Sequence, residues 1–468
     1  MPDPSAPNPR LETDWDAFAD WGRRIADWGA EYHRTLRDRP VRAPLVPGRL
    51  RAALPPTPPE AGEPMAAIWD DLEALVMPGL THWQHPRFFA YFPANAAPPS
   101  ILAEFVTAIL APQCMLWQTS PAATELETHT LDWLRQALGL PATFQGVIQD
   151  SASSATLAAV LVMRERALRW EGNRKGLSGL GKLRLYTSSE AHSSVERAAW
   201  IAGIGAENLV RLPPTDPTAL RTALATDRAT GHIPAGLIAC TGATGTGACD
   251  DLRALLDIAR DAGLYTHVDA AWAGAAMICP EFRNLWDGVE GADSVVVNPH
   301  KWLGAQFDCA AHFLRDPSDL VRTLAIKPEY LKTHGADGVI DYSEWSVPLG
   351  RRFRALKLWF LLRFYGLDGL RAMIRDHVRW AAALADRLRA DPRFEVVTDP
   401  VLSLFTFRLA GQDDAAQIAY LSRLNDDGRI YLTQTRVAGR IVLRFQVGAF
   451  ATTEDDVALA GDVLADLA

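Results

Sequence analysis

A lysine at position 301 stands where an amine is unusual. It follows the apolar run 294–297, in the segment Asn298-Pro299-His300-Lys301-Trp302. Such a run predicts a buried strand, and groups at the end of a strand are partly dehydrated at the rim of a sheet. Dehydration disfavours the ammonium form and lowers the pKa of a lysine, and a neutral amine can form a Schiff base with an aldehyde. We therefore predict that Lys301 is a reactive residue.

An aspartate ends a second apolar run and offers the partner that such an aldehyde needs. Pyridoxal phosphate (PLP) is the commonest aldehyde cofactor, and its ring withdraws electrons strongly only while an acid keeps the pyridine nitrogen protonated. Asp269 follows residues 264–268 in His267-Val268-Asp269-Ala270-Ala271. A single lysine or aspartate is usually a solvated surface charge, so the prediction depends on both lying at strand ends of one sheet.

Short β-rich runs alternate with helical patterns between about residues 122 and 315. This alternation predicts a mostly parallel sheet with helices on both faces. Ligands of such sheets bind at the carboxyl ends of the strands, where Asp269 and Asn298 would lie. A helical pattern at 354–388, followed by strand-like runs, predicts a smaller α+β domain. The predicted strands are residues 183–187, 236–241, 264–269, 294–298, 310–314, 394–397, 403–409 and 441–446.

The composition predicts a globular, cytoplasmic protein. The 468 residues allow two or three domains, and 48% hydrophobic residues can fill a large core. A formal charge of -9 and the lack of a basic stripe argue against nucleic-acid binding. The 5 cysteines lack the spacing of a metal site or a redox motif. We expect no bound metal, no secretory signal and no membrane partner, and hence a soluble protein in a reducing compartment.

Apolar side chains recur at spacings of three and four near the N-terminus and predict a helix over residues 15–36. This stripe would pack either on the chain's own core or against a second copy, and large aromatics are typical of an interface. Prolines between residues 39 and 65 exclude a continuous helix and predict an extended connection before a second helical pattern at 66–80. The stripe comprises Phe18, Trp21, Ile25, Trp28 and Tyr32.

Small hydroxyl residues open a helix after the apolar run 146–148. In Asp150-Ser151-Ala152-Ser153 the backbone amides and hydroxyls of a helix N-terminus offer donors to a phosphate. The alternative is serine capping of an ordinary helix. His192 directly precedes a capping box of Ser193 and Glu196, which predicts that a helix begins there. The ring of His192 would stack on a flat ligand or hydrogen-bond the local backbone.

The sequence resembles the aromatic-L-amino-acid decarboxylases, which are group II PLP-dependent decarboxylases. The resemblance rests on the segments around Asp269 and Lys301, on Ser120-Pro121-Ala122 with Glu125-Leu126-Glu127, and on Gly350-Arg351-Arg352-Phe353-Arg354. These motifs follow one another in the family's order, at similar spacing, from about Trp83 to the C-terminus. The resemblance implies an α/β protein of PLP-dependent transferase fold type I, with a mostly parallel seven-stranded sheet. It also implies a homodimer whose N-terminal helices pack on each other.

The resemblance also implies roles for the matching residues. Lys301 would hold the cofactor as a Schiff base, Asp269 would keep the pyridinium proton, and His192 would stack on the ring. Loss of carbon dioxide from an amino acid is the expected reaction, because a pocket that holds the carboxylate perpendicular to the ring plane selects that bond. By the same resemblance the phosphate would contact Ser151, Ala152, Ser153 and Asn298, the ring would contact Ala271, and His300 would border the active site.

Tyr330 matches a catalytic tyrosine that the family carries on a mobile loop, here about residues 327–338. Its hydroxyl would return a proton to the α-carbon after carbon dioxide leaves. Related aromatic aldehyde synthases, which also deaminate the product oxidatively, carry phenylalanine at this position. Tyr330 therefore favours an amine product, although in isolation a tyrosine here would be a loop packing residue.

Five positions form the candidate substrate pocket: Trp83, Phe92, Ala94, Met115 and Gly350. Flat apolar walls favour aromatic substrates. Gly350 stands where histidine-decarboxylating and phenol-preferring relatives tend to carry serine, and it leaves room for an indole ring. Ala94 replaces a threonine that animal relatives place near a substrate hydroxyl, which argues against a catechol. Tryptophan is the first expected substrate, followed by phenylalanine, tyrosine or dihydroxyphenylalanine.

Cys240 is a second departure from the family pattern, since it replaces a threonine near the cofactor with a weaker hydrogen-bond donor. The alternative is a buried small residue without a role. Three other functions remain open: an aromatic aldehyde synthase, a decarboxylase of another amino acid such as histidine or glutamate, and a cofactor-binding protein without activity. We expect a helical dimerisation segment at 1–97, a PLP-binding α/β domain at 98–356 and a small α+β domain at 357–468.

Overall fold

The computed structural model describes residues 14–44, 46–214, 216–326 and 338–468. A seven-stranded sheet forms the centre of the fold, with its strands side by side in the order β1-β7-β6-β5-β4-β2-β3. In chain order they are β1 Gln145–Gln149, β2 Leu183–Ser188, β3 Leu209–Leu212, β4 Ile233–Cys240, β5 Tyr265–Asp269, β6 Ser294–Val297 and β7 Ala310–Leu314.

Five adjacent strands, from β6 to β3, run parallel, and β7 lies antiparallel between β6 and β1. This confirms the prediction of a mostly parallel sheet. β4 begins at Ile233 rather than at 236, because its pairing with β2 continues past an irregularity at Arg184. Asp269 is the last residue of β5 and Asn298 follows β6 directly. Both therefore lie at the carboxyl edge of the sheet.

Helices cover both faces of the sheet, as predicted. Leu131 of the helix before β1 packs on one face, and Val162 of the helix after β1 packs on the other. In chain order the helices are α1 Trp15–Arg34, α2 Arg49–Ala53, α3 Met65–Asp71, α4 Pro98–Leu110, α5 Pro121–Leu138, α6 Ala152–Ala167, α7 Gly172–Lys175, α8 Ser194–Ile201, α9 Pro217–Ala229, α10 Leu252–Asp261, α11 Ser318–Leu324, α12 Arg354–Ala390, α13 Asp414–Asp427 and α14 Glu454–Asp466.

A second, antiparallel sheet follows α12, which confirms the smaller α+β unit. It comprises β8 Phe394–Val401, β9 Leu404–Leu409, β10 Thr433–Val437 and β11 Arg440–Gln446, in the order β10-β11-β9-β8. Helix α12 joins the two sheets: Leu361 packs in the core of the large sheet and Leu384 in that of the small one. Gly366, at φ 62° and ψ 173°, interrupts the helix between these two halves.

The N-terminal helix α1 lies on the surface, and none of its residues is buried. Rings attach it to the body: Trp28 meets Trp69 edge to face at 5.4 Å, and Phe18 stacks on Phe105 at 6.5 Å. The helix predicted at 66–80 was wrong in its second half, where a π turn at Leu72–Val76 and a 3₁₀ turn at Met77–Gly79 follow α3. Pro78 has no N–H to continue an α-helix there. Within the described ranges, we find no helix with the length and apolarity to cross a membrane.

Candidate active site

The carboxyl ends of β4, β5 and β6 meet the N-terminus of α6 around one cavity, which we call the inner cavity. Residues from each of these four elements reach it because their ends converge at one edge of the sheet. It contains eight of the nine residues predicted to bind the cofactor, and His300 is the exception. The lining comprises Ser151, Ala152, Ser153, His192, Ser194, Cys240, Gly242, Thr244, Asp269, Ala271, Trp272, Asn298 and Lys301.

Lys301 lies in the turn after β6, and its backbone N–H donates to the Asn298 carbonyl at 2.9 Å. Burial lowers the pKa of the Lys301 ammonium, while the Asp269 carboxylate raises it and the positive charge of Arg444 lowers it further. The net direction is downward. The amine is therefore neutral more often than that of a surface lysine, as Schiff-base chemistry requires.

Asp269 is 7% exposed and is held by its own main chain, because its Oδ1 accepts the N–H of Ala271 at 3.1 Å. Two residues earlier on β5, the buried His267 places Nδ1 2.8 Å from Ser294 Oγ on β6. This contact ties the two strands together just below the cavity. The carboxylate is thereby fixed at the strand end, close enough to His192 and Lys301 to affect their pKa values.

Ser151 caps α6, since its Oγ accepts the N–H of Ser154 at 3.2 Å. The N–H groups of Ala152 and Ser153 come first in the helix and so have no acceptor within it. These donors and the positive end of the helix dipole favour an anion. The Oδ1 of Asn298 is buried without a hydrogen-bond partner among the described residues, as expected of a side chain that contacts a ligand.

His192 lies at the open side of the inner cavity, just before α8. Its Nδ1 accepts the backbone N–H of Ser194 at 3.2 Å. Because a backbone N–H can only donate, Nδ1 holds a lone pair and the neutral ring carries its proton on Nε2. Partial burial lowers the pKa of His192; the carboxylate of Asp269 acts in the opposite direction and Lys301 adds to the decrease. The ring is therefore mainly neutral near pH 7.

This arrangement corrects the predicted capping box. Ser193, at φ -58° and ψ -15°, is already helical, so its side chain makes no cap. Glu196 pairs with Arg211 instead, at 2.8 Å between Oε2 and Nη2. The helix begins at Ser194, directly after Ser193 as the pattern predicted, but without the capping hydrogen bonds of Ser193 and Glu196. His192 takes part in the first hydrogen bonds of the helix instead.

A second, more open cavity of about 480 Å³ begins at Lys301, and we call it the outer cavity. Three residues predicted to contact the substrate line it, namely Trp83, Phe92 and Ala94. Phe92 stacks on Trp272 at 5.1 Å, so one aromatic wall runs from the inner cavity to the outer one. The full lining comprises Trp83, Gln84, Phe92, Ala94, Asn95, Ala96, His300, Lys301, Gln306 and Phe307.

The other predicted substrate residues, Met115 and Gly350, lie elsewhere in the chain. Gln113 Oε1 accepts the N–H of Arg351 at 2.6 Å, and the Cys114 N–H donates to the Arg351 carbonyl at 2.9 Å. These bonds hold the two segments side by side, and neither Met115 nor Gly350 lines the inner or the outer cavity. Tyr330 lies outside the described residues, so its role stays a prediction.

Sequence reasoning missed three residues that complete the site. Trp272 donates from Nε1 to the Gly242 carbonyl at 2.6 Å, and Gly242, at φ 83°, has no room for a Cβ beside Ala273. Gln306 follows Lys301 by five residues and could have been found by extending that motif. Arg444 of β11 could not, because no local pattern distinguishes it.

Arg444 joins three segments near the active site. Its Nε donates to the Gly245 carbonyl at 3.1 Å, and its Nη1 donates to the Tyr91 carbonyl at 3.1 Å and to Thr433 Oγ1 at 3.2 Å. Burial lowers the pKa of this guanidinium to about 10. The small sheet, the aromatic segment of the outer cavity and the loop after β4 are therefore linked through one charged side chain.

The inner cavity thus combines a half-buried amine with a lowered pKa, a carboxylate held by the main chain and a capped helix N-terminus. These are the groups that the aldehyde, the pyridine nitrogen and the phosphate of PLP would need. The residues present fit this cofactor.

Comparison with known proteins points the same way. Residues 47–410 match the model of the pyridoxal-dependent decarboxylase conserved domain. The chain is 41% identical to aromatic-L-amino-acid decarboxylase of Mus musculus over 469 residues, which cover 96% of each chain. It is 39% identical to phenylacetaldehyde synthase of Arabidopsis thaliana over 473 residues, again 96% of each. The crystal structure of Oryza sativa TDC with PLP and tryptamine has a TM-score of 0.94, 35% identity and coverage of 98% of both chains.

These findings confirm the family resemblance and the cofactor that were predicted from the sequence. Pyridoxal phosphate is the cofactor, and the enzyme is a carboxy-lyase. The chain belongs to the group II pyridoxal-dependent decarboxylases.

Proposed function

We propose that this enzyme converts aromatic L-amino acids into arylalkylamines and carbon dioxide. The observation that carries the proposal is the outer cavity. Among the described residues, its lining has rings, small residues and amides but no charged side chain apart from Lys301. An acidic or cationic substrate side chain would lose its hydration there without a partner of opposite charge. A flat apolar ring has no charge to desolvate, so it can enter this cavity without that cost. The names of the relatives, which include an aromatic-L-amino-acid decarboxylase, support the same class.

Lys301, Asp269, His192 and the N-terminus of α6 would each have a role in this reaction. PLP, when bound, withdraws electrons from the substrate's α-carbon and weakens the bonds to it. Lys301 would bind the aldehyde and give way to the amine of the substrate. Asp269 would keep the proton on the pyridine nitrogen, and the N-terminus of α6 would hold the phosphate. His192, neutral and protonated on Nε2, would cover one face of the ring without adding a charge.

Tryptophan is the first substrate that we propose, followed by phenylalanine, tyrosine or dihydroxyphenylalanine. A cavity of about 480 Å³ leaves room for an indole ring. The TDC of Oryza sativa, which this chain resembles at a TM-score of 0.94, was solved with tryptamine. Glutamate and histidine are disfavoured because the described lining holds no acid and, apart from Lys301 at the reacting end, no cation.

The purified enzyme with its cofactor provides the test. Incubation with tryptophan, phenylalanine, tyrosine, dihydroxyphenylalanine, histidine and glutamate should yield amine and carbon dioxide in equal amounts from the aromatic substrates. Lys301→Ala should abolish turnover and the visible absorption band of the bound cofactor, whereas Lys182→Ala, a change at an exposed lysine, should alter neither. Glutamate as the best substrate would contradict the proposal, and so would a visible band that Lys301→Ala leaves unchanged.

An aldehyde synthase is the second candidate, because one relative at 39% identity is named phenylacetaldehyde synthase. Tyr330 favours the amine product, since a phenol can deliver a proton and a phenyl ring cannot. We expect Tyr330→Phe to shift the product from amine towards aldehyde, with oxygen uptake and peroxide release. Oxygen uptake equal to carbon dioxide release in the unmodified enzyme would reverse this assignment.

We also propose a homodimer. Helix α4 exposes a continuous apolar face, with Leu102 at 60% and Phe105 at 48%, and α1 lies beside it. Faces of this kind are typical of interfaces. A second copy could also bring Met115 and Gly350 to the outer cavity, from which they are separate within one chain. Leu102→Glu combined with Phe105→Glu should give monomers in sedimentation velocity, whereas Thr222→Glu on the exposed face of α9 should not.

The proposed regions are the helical dimerisation segment 1–97, the PLP-binding domain 98–356 and the small domain 357–468. A cytoplasmic location is proposed as well. All 5 cysteines are free thiols, which supports a reducing compartment. Limited proteolysis and fractionation of cells that make the protein would test these two assignments.

A further inference from the structure

The two cavities meet at Lys301, which lines both. If the proposed function holds, the reacting α-carbon lies at this lysine and the substrate's ring extends into the outer cavity. Residues that line only the outer cavity therefore meet the ring rather than the reacting atoms. Gln306 is one of them.

A buried lysine dictates how the Gln306 amide is oriented. Lys357 of α12 is 0% exposed, and its Nζ lies 3.2 Å from Gln306 Oε1 and 2.8 Å from Glu104 Oε1. An ammonium has donors and no acceptor, so the end of the amide that faces it must be the oxygen. The backbone of Gln306 is fixed too, because its N–H donates to Ser100 Oγ at 2.6 Å. The NH₂ end, which can only donate, is left for the outer cavity.

His300 also presents a donor to this cavity. Its Nδ1 accepts the N–H of Cys309 at 2.9 Å, so the neutral ring carries its proton on Nε2. Burial and the nearby charge of Lys301 lower the pKa of His300 to about 3. The ring is therefore neutral, with one N–H, near pH 7.

The other side-chain amides of the outer cavity are used by the protein itself. Gln84 donates from Nε2 to the Ala94 carbonyl at 2.7 Å and accepts the Ala96 N–H on Oε1 at 2.9 Å. Asn95 bonds three backbone groups through its Nδ2 and Oδ1. Among the described side chains that line this cavity, those that can still form a hydrogen bond with a substrate ring are donors.

We propose that Gln306, oriented by Lys357, is a specificity-determining residue that donates a hydrogen bond to an oxygen on the substrate's ring. A hydroxylated ring is then preferred over the unsubstituted ring of the same size. Tyrosine is the better substrate of the pair tyrosine and phenylalanine. The inference rests on the proposed function, which supplies the class of substrate. The contact with Lys357 supplies the orientation of the Gln306 amide.

Gln306→Met tests the hydrogen bond, because it keeps the length of the side chain and removes both donors. The ratio of kcat/KM for tyrosine to that for phenylalanine should fall about fivefold to tenfold, the contribution of one neutral hydrogen bond. The value for phenylalanine should fall less than that for tyrosine, because an unsubstituted ring forms no hydrogen bond with Gln306. Gln412→Met, on an exposed loop, is the matched control and should leave the ratio as it is.

Binding of unreactive analogues gives a second readout. Two analogues that lack the amine are suitable, 3-(4-hydroxyphenyl)propanoate and 3-phenylpropanoate. The hydroxylated analogue should have the lower dissociation constant in the unmodified enzyme, and the two constants should converge in Gln306→Met. An unchanged ratio in both assays, or an equal loss for both substrates, would overturn the proposal. If the enzyme decarboxylates neither amino acid, the proposed function fails, whereas the analogue ratio still decides whether the hydrogen bond exists.

Discussion

Arg351 and Glu127 form a buried ion pair, with Nη2 of the arginine 2.6 Å from Oε1 of the glutamate and side-chain exposures of 2% and 3%. The same groups hold Ile148 of β1: Arg351 Nη2 donates to its carbonyl at 2.8 Å, and Glu127 Oε1 accepts its N–H at 2.8 Å. Two residues further along, the chain enters the Asp150–Ser151 turn that leads to the phosphate end of the site. Motifs more than two hundred residues apart therefore support one strand.

Arg351→Met should destabilise the fold strongly, because it leaves the carboxylate of Glu127 buried without a counter-charge. Breaking a buried pair from one side costs about 3–5 kcal/mol. Urea denaturation of the holoenzyme would measure the loss. Combining Arg351→Met with Glu127→Gln should cost less than the two single changes added together, because the partners are in contact.

An exposed ion pair offers the control for this prediction. Arg253 pairs with Asp287 and Glu290 on the surface, so Arg253→Met should leave the unfolding midpoint almost unchanged. Equal losses for Arg351→Met and Arg253→Met would contradict the role assigned to the buried pair.

Acid should unfold the enzyme partly through His312. This residue of β7 is fully buried, both ring nitrogens lack partners among the described residues, and burial lowers its pKa to about 3. In the unfolded chain His312 takes up a proton near pH 6.5, whereas in the native state it does so only near pH 3. Its contribution to stability is therefore complete above about pH 6.5 and falls as the pH drops below that value. His312→Leu should reduce the slope of unfolding free energy against pH by up to about 1.4 kcal/mol per unit in this window. A slope identical to that of the unmodified enzyme would exclude His312 as a contributor.

Arg444→Met should affect both the geometry and the electrostatics of the active site. Loss of its bonds to Gly245 and Tyr91 frees two segments beside the cavities, and kcat/KM should fall on the order of tenfold to a hundredfold. Loss of its positive charge should raise the pKa of Lys301. The acylation rate of Lys301 in the apo-enzyme, followed against pH by mass spectrometry, would report the shift. Arg436→Met, on the exposed side of β10, should leave both quantities unchanged.

The thiols should be unreactive in the native enzyme. Burial raises the pKa of Cys114, Cys249 and Cys279 to about 11 and that of Cys309 to about 12, and it raises the pKa of Cys240 well above its usual value. Since the thiolate is the reacting species, thiol reagents near pH 7 should label slowly until denaturant is added. All 5 thiols should then react. Rapid labelling of Cys240 in the native enzyme would show that the inner cavity is more open than described.

Local patterns predicted the parts of the fold that depend on nearby residues. The apolar runs that became β5 and β6 placed Asp269 and Lys301 at strand ends, and Ser151 was recognised as the start of α6 because a cap needs only the next three residues. The capping hydrogen bonds predicted for Ser193 and Glu196 are absent. The N–H of Ser194, at the start of the helix, donates to Nδ1 of His192 instead, and the local pattern does not encode this bond. The helix predicted at 66–80 ends as an α-helix at Asp71, and Pro78 has no N–H to continue one in the turns that follow.

The sequence by itself determined the chemistry of this protein, because an amine, an acid and a phosphate-binding helix start are written in short motifs at strand ends. Only the tertiary structure decided which side chains line and support the outer cavity. Lys357 lies 51 residues from Gln306, and Arg444 lies 199 residues from Gly245. Contacts over such separations depend on how α12 and β11 pack on the large sheet, and packing of that kind leaves no periodic trace in the sequence.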